Sequence, residues 1–199
     1  MRDLDQVNGD TAVAVVALVC SAGGLEALTT VLGGLPVDLP AAVVVQQHLG
    51  AGSRLAPLLK RRTGLPVEWA VDRGTMRPGD VVVCPPRHSI ELHPGGRYRL
   101  RPAGERARSL VHDALFASLA GAYGGRGVAV VLTGMGSDGA AGTAIVLKAG
   151  GITLAQSEAS AEWPSMPRAA AAAGAVLIVP LNQVAGVVIA SLCLALGGG

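Results

Sequence analysis

The sequence predicts an α/β domain: a doubly wound, largely parallel sheet with helices on both faces and an antiparallel hairpin excursion around residues 80–101. Three observations carry that expectation. Residues 11–20 (TAVAVVALVC), 41–47 (AAVVVQQ) and 128–133 (VAVVLT) are continuous apolar runs rather than alternating ones, the pattern of strands buried on both faces. Helix-length stretches alternate with these runs, as parallel strands joined by crossovers require. Glycines and small residues stand where the runs end, at Ser21-Ala22-Gly23-Gly24 and from Gly134 to Gly142, which suits strand-to-helix turns that open on a ligand crevice.

In chain order, residues 1–10 read as an N-terminal tail and 11–196 as one domain. The strand at 11–20 turns at Ser21 into a helix (LEALTTVLGGL). The strand at 41–47 is followed by His48-Leu49-Gly50 and a helix near 53–62, then a strand at 66–71. Short extended pieces at 80–84, 89–93 and 98–101 are separated by Pro-Pro and Pro-Gly-Gly, and that spacing predicts the hairpin excursion. A helix over about 109–123 leads into the strand at 128–133. The last third alternates helix (138–149), strand (152–156), a loop with a short helix (158–173), strand (176–179) and a terminal helix (182–196). That last helix is apolar nearly all round, through Val184, Val187, Val188, Ile189, Leu192 and Leu194. Such a helix is buried on more than one side, which points to a homodimer contact or a docking partner there.

Composition narrows the function. The chain has 199 residues, half of them hydrophobic but only 3% aromatic, with 15% charged residues and a net charge of +2. The core must therefore be aliphatic, and no clustered basic stripe marks a nucleic-acid footprint. The three cysteines, Cys20, Cys84 and Cys193, are an odd number in apolar surroundings and read as buried thiols of a reducing compartment. The N-terminus is acidic on balance and no apolar run is long enough for a membrane helix. The expected place is the cytoplasm.

Three strand ends carry reactive side chains: Ser21, His48 and Asp138. If the first strand is central, with the second on one side and the 128–133 strand on the other, the three converge as nucleophile, base and orienting acid. Each also has a plainer reading: Ser21 as a helix cap, His48 as a surface imidazole, Asp138 as a cap on its own helix. A competing motif overlaps the last of them. Gly134, Gly136 and Gly139 match G-x-G-x-x-G, with Glu158 about twenty residues on, as a dinucleotide site wants. That reading weakens because several elements precede the glycines and because Asp138 would put a carboxylate where a pyrophosphate must sit. His88, His93 and His112 lack metal-ligand spacing, and no metal or cofactor is expected. Backbone amides at Ala22 and in the Met135 turn are placed to point into the crevice.

The residues resemble a known family, the catalytic domain of the chemotaxis protein-glutamate methylesterases. The matching pieces are Ser21-Ala-Gly-Gly24, Gln47-His48, the block LTGMGSDGAAG from Leu132 to Gly142, Gln156-Ser-Glu-Ala-Ser160, Met166-Pro167-Arg168 and Pro85-Pro86-Arg87-His88. The resemblance implies a serine esterase that hydrolyses glutamate methyl esters on chemoreceptor-type proteins and also deamidates receptor glutamines. It makes Ser21 the nucleophile, His48 the base, Asp138 its orienting acid, and the amides of Ala22 and Met135 the oxyanion hole, with a methylated receptor signalling domain as substrate partner. Relatives usually carry an N-terminal receiver domain, which this sequence is expected to lack. Ala22 stands where a hydroxyl residue is common and Gly50 where proline is. The family's Arg-Pro-Ser-Val-Asp type segment reads Ser109-Leu-Val-His-Asp113 here, with only Asp113 in common. The same triad acting on another ester, or a non-catalytic signalling module of the same fold, are the alternatives.

Overall fold

The computed structural model describes residues 14–104 and 110–197. The expected tail at 1–10, the first residues of the first strand, and Ser109 lie outside that range.

Seven parallel strands form one sheet in the order β3-β4-β2-β1-β7-β8-β9. At its centre is β1 (Val15–Cys20), every residue of which is buried. It pairs with β2 (Ala42–Gln47) on one side and β7 (Gly127–Val131) on the other. Beyond β2 lie β4 (Val81–Val83) and β3 (Val67–Trp69); beyond β7 lie β8 (Ile152–Gln156) and β9 (Leu177–Val179). The chain builds one half of the sheet outward from β1 and returns to build the other from β7. The carboxyl ends of β1, β2 and β7 therefore flank the point where the winding reverses, the place where open α/β sheets open a crevice.

The period of two along β1 divides the core. Val16, Leu18 and Cys20 face α1 (Gly24–Gly33), α2 (Leu55–Thr63) and α6 (Val184–Gly197). Val15, Ala17 and Val19 face α3 (Val111–Tyr123), α4 (Ala140–Lys148) and α5 (Ser165–Ala172). Helices thus cover both faces, and a strand covered twice has no polar side to show, which is why these runs do not alternate. Phe116, the only phenylalanine, is fully buried on α3. A Cβ on Gly142 of α4 would lie 2.6 Å from the Phe116 Cβ, so α3 and α4 pack together closely only because that position is glycine.

Two expectations need correction. The excursion is shorter than the sequence suggests: β5 (His88–Leu92) and β6 (Tyr98–Pro102) pair antiparallel as a separate two-stranded sheet. The piece at 80–84 instead supplies β4, which is parallel to both β2 and β3. Its three valines are all buried, as a strand covered on both faces demands, and the prolines around it end the strand without turning it back. Second, Cys20 and Cys84 are buried but Cys193 is exposed. On α6 the burial belongs to Val184, Val188 and Leu192, which join the core, whereas Leu194 near its end is 76% exposed. Intramolecular packing accounts for much of that helix's apolar character. No helix among the described residues is long and apolar enough to cross a membrane.

Candidate active site

The ladder between β1 and β7 runs on past the strand ends: Leu132 N donates to Val19 O and Ser21 N to Thr133 O, at 2.9 and 3.0 Å. Ser21 is thereby pressed against Gly134, where a Cβ would come within 2.9 Å of the Ser21 Cβ and 2.2 Å of Met166 Sδ. Glycine is required there by the close approach of two backbones. Ser21 does not cap α1, whose N-cap position is Gly23. Its carbonyl instead accepts from Gln47 Nε2 at 3.0 Å, so the backbone that carries the hydroxyl is tied to both neighbouring strands.

The serine Oγ lies 3.3 Å from His48 Nδ1, and His48 Nε2 lies 2.8 Å from Asp138 Oδ2. A carboxylate only accepts, so Nε2 carries the proton and Nδ1 is left with a lone pair facing the hydroxyl. The Asp138 side chain is 4% exposed and that of His48 27%. A buried carboxylate is costly unless hydrogen bonds satisfy it. Burial by itself would raise the Asp138 carboxyl, but the His48 bond, the nearby His112 and the amides of His112 and Asp113 outweigh it and hold Asp138 below its ordinary value. Those two amides open α3 and donate to the carboxylate at 3.1–3.2 Å. Asp138 therefore sits on the positive end of a helix that begins at Val111, 27 residues earlier in the chain.

The exchange is reciprocal. Asp113, in the first turn of α3, accepts from Gly139 N at 3.0 Å and Gly142 N at 2.6 Å, so it is Asp113 that caps α4. The reading of Asp138 as a blockade of the α4 amides is corrected accordingly: its carboxylate is turned away to α3, and the seat a pyrophosphate would need is filled by Asp113. Glu158, the other half of the dinucleotide motif, is paired with Arg168 at 2.8 Å on the surface.

His112 is the site residue that spacing alone passed over. It is fully buried, stacks on His48 with ring centroids 4.2 Å apart and planes 17° apart, and bonds through Nε2 to Cys20 O at 3.1 Å. Burial pushes its pKa down to about 4. His48, His112 and Asp138 bring three donor atoms within 4.8 Å of one another. Nε2 of each ring is already bonded to an oxygen acceptor, so in this arrangement the set is engaged in hydrogen bonds.

Around Ser21 an open groove of about 500 Å³ is lined by Ser21, Ala22, Gly23, Gln47 and His48 among others. The flanking amides are occupied: Gly134 N on Trp163 O and Gly136 N on Ser165 Oγ. Among the described residues no acceptor takes the amides of Ala22 or Met135. A hydroxyl, an imidazole and a carboxylate in that sequence, beside unclaimed amides, can remove a proton from the hydroxyl and receive negative charge on a carbonyl oxygen attacked by it.

The family model described as CheB methylesterase matches residues 16–188. The chain belongs to this family. Among solved structures it is similar to the Thermotoga maritima CheB methylesterase catalytic domain, with a TM-score of 0.83 and 28% identity over 89% of this chain and 97% of that one. A Pseudomonas putida protein-glutamate methylesterase/protein-glutamine glutaminase of group 3 operon is 40% identical over 94% of this chain and 55% of its own length. A protein-glutamate methylesterase/protein-glutamine glutaminase of Moorella thermoacetica is 38% identical over 88% of this chain and 43% of its own length. The chain thus spans about half the length of these relatives.

Within this CheB methylesterase domain the strand-end glutamines also do work that the sequence hinted at. Gln46 bonds to Val111 O and accepts from Ile90 N, linking the start of α3 to the hairpin. Gln156 accepts from Thr133 N at 2.8 Å and donates to Ser160 O at 2.8 Å, fixing the turn before Gly134. The signal was there to be read: a glutamine ending a buried apolar run must find partners in the turns beyond it.

Proposed function

We propose that this chain is a serine esterase that hydrolyses glutamate methyl esters on chemoreceptor-type proteins, releasing methanol, and that the same site deamidates receptor glutamines. The observation that carries the proposal is the hydrogen-bonded series from Ser21 Oγ through His48 to Asp138 at the ends of β1, β2 and β7. The names borne by the relatives support the choice of substrate.

Ser21 Oγ attacks the γ-carbonyl carbon of the ester while its proton passes to His48 Nδ1. Asp138 keeps the other ring proton on Nε2 and stabilises the imidazolium that results. The amides of Ala22 and Met135 receive the oxyanion, each well-aimed donor contributing about 3–4 kcal/mol in the transition state. The tetrahedral intermediate collapses, the C–O bond to the methoxy group breaks, and His48 returns its proton to the departing oxygen as methanol. Water then attacks the acyl-enzyme with His48 again as base, restoring Ser21 and leaving the glutamate carboxylate. On a glutamine substrate the first leaving group is ammonia. Action in the cytoplasm, and a contact with a second copy or another partner at the exposed end of α6 around Leu194, belong to the same proposal.

The test is methanol release from methylated receptor membranes. Ser21→Ala is expected to lower the rate by at least about 10³-fold. Cys20→Ala should stay near the wild-type rate, because burial pushes the Cys20 thiol far above its ordinary value and denies it thiolate character. Activity retained in the Ser21 variant would refute the assignment. A panel of small esters run beside the receptor separates the proposed substrate from the same chemistry on another ester.

A further inference from the structure

His48 and His112 lie face to face but are held in different ways. His48 follows β2 on a loop that leads to Leu49 and Gly50, and its side chain keeps 27% of its surface in solvent. It is gripped at two points on its edge, by Ser21 Oγ and Asp138 Oδ2. The Cβ–Cγ bond adds a third point, but it turns about the side-chain torsions and the Ser21 contact is long at 3.3 Å, so these restraints alone leave the ring room to rock. His112 is anchored on the first turn of α3 and fully buried. Its Nε2 bonds to the Cys20 carbonyl, which requires the proton on that nitrogen, and its buried Nδ1 has no partner. The ring is therefore the neutral Nε2–H tautomer, consistent with a pKa pushed down by burial. Its only ring donor is spent on Cys20, so it does not compete with His48 for Asp138.

We infer that His112 is a positioning residue of the esterase proposed above: its flat neutral ring sets the plane of His48 and so keeps Nδ1 aimed at Ser21 and Nε2 at Asp138. The backbone amide of His112, which bonds to Asp138, would be supplied by any residue at that position. What the side chain adds is a planar surface 4.2 Å from the base. An aliphatic side chain of similar volume fills the space but lets the ring rock. A phenyl ring keeps the face and gives up only the bond to Cys20, a loss that falls on stability rather than on aim.

The role rests on the serine-esterase reading, and its test does not need the receptor. The rate at which a fluorophosphonate labels Ser21, resolved into a maximal rate and a half-saturating concentration, reports how well His48 is aimed. His112→Leu is expected to lower the maximal rate about tenfold with the half-saturating concentration unchanged, while His112→Phe stays within about threefold of wild type. Leucine labelling as fast as wild type, or phenylalanine as slow as leucine, overturns the role. If His112→Leu does not fold by circular dichroism, His112→Gln, which keeps an N–H for Cys20 without a ring, must show the same loss; a wild-type rate there overturns it. A wild-type chain that does not label removes the esterase reading and this role together. One that labels, with variants indistinguishable from it, removes only the role.

Discussion

The crevice at the strand ends and the β5–β6 hairpin are two places where polar side chains gather, and they are built on opposite principles. In the hairpin the partners are near in sequence and open to solvent: Arg101 pairs with Glu91, ten residues away, with side chains 56% and 34% exposed. Arg73, Arg97 and Arg99 border a hollow of about 250 Å³ beside it. In the crevice the partners are 26 to 92 residues apart and mostly buried: His48 with Asp138, His112 with Cys20, Asp113 with Gly139 and Gly142. Exposed pairs trade one set of hydrogen bonds for water's and contribute little. A buried group that loses its partner carries the full cost of desolvation. The same kinds of residue therefore decorate one region and define the other.

The largest effect should come from Asp138→Asn. The amide oxygen can still accept from the first turn of α3, so the fold is expected to survive. Its NH₂ would donate to His48 Nε2 and force the ring proton onto Nδ1, the wrong tautomer for accepting from Ser21. Methanol release should fall by about 10³- to 10⁴-fold with an unchanged melting curve; a fall of less than tenfold would mean the buried pair matters no more than the hairpin's.

An intermediate effect follows from the buried imidazole. The unfolded chain protonates His112 near 6.5, whereas the folded chain holds it neutral down to about 4. As pH falls through that window the unfolded state binds the proton first, so stability is lost with acidification. Between pH 7 and pH 4.5 the loss comes to about 2 kcal/mol, read by urea unfolding. His112→Phe should abolish this part of the slope. The depressed Asp138 carboxyl acts in the same direction at lower pH, its contribution fading as pH drops through its folded value.

The smallest effect is expected at the hairpin. Arg101→Ala removes the pair with Glu91 at a solvent-exposed site and should shift neither the melting temperature nor the rate measurably. A clear loss of either would erase the distinction between the two regions.

Much of this molecule was legible in its sequence, and the exceptions share a cause. The runs containing β1, β2 and β7 announced themselves through unbroken apolar composition, and Ser21, His48 and Asp138 stood out because each follows such a run in a turn of small residues, where strand ends can bring reactive side chains together. By contrast, β4 is three valines between Asp80 and Cys84, too short a segment to state whether it runs with or against its neighbours; pairing with β2 and β3 decided that. His112 looked like one more helix histidine, since nothing local to 109–113 says what its ring will touch.

What the sequence by itself determined is whatever depends on local periodicity and turn chemistry: the order of strands and helices, the double burial of the central strands, and the small residues needed where Ser21 meets Gly134. Which carboxylate serves which helix, and which histidine supports the other, was decided only when α3 packed on α4 across the β1–β7 boundary. Asp113 and Asp138 could each have capped the nearer helix end. They serve each other's helices because buried amides take the nearest acceptor in space, and distance in space is set by packing, not by position along the chain.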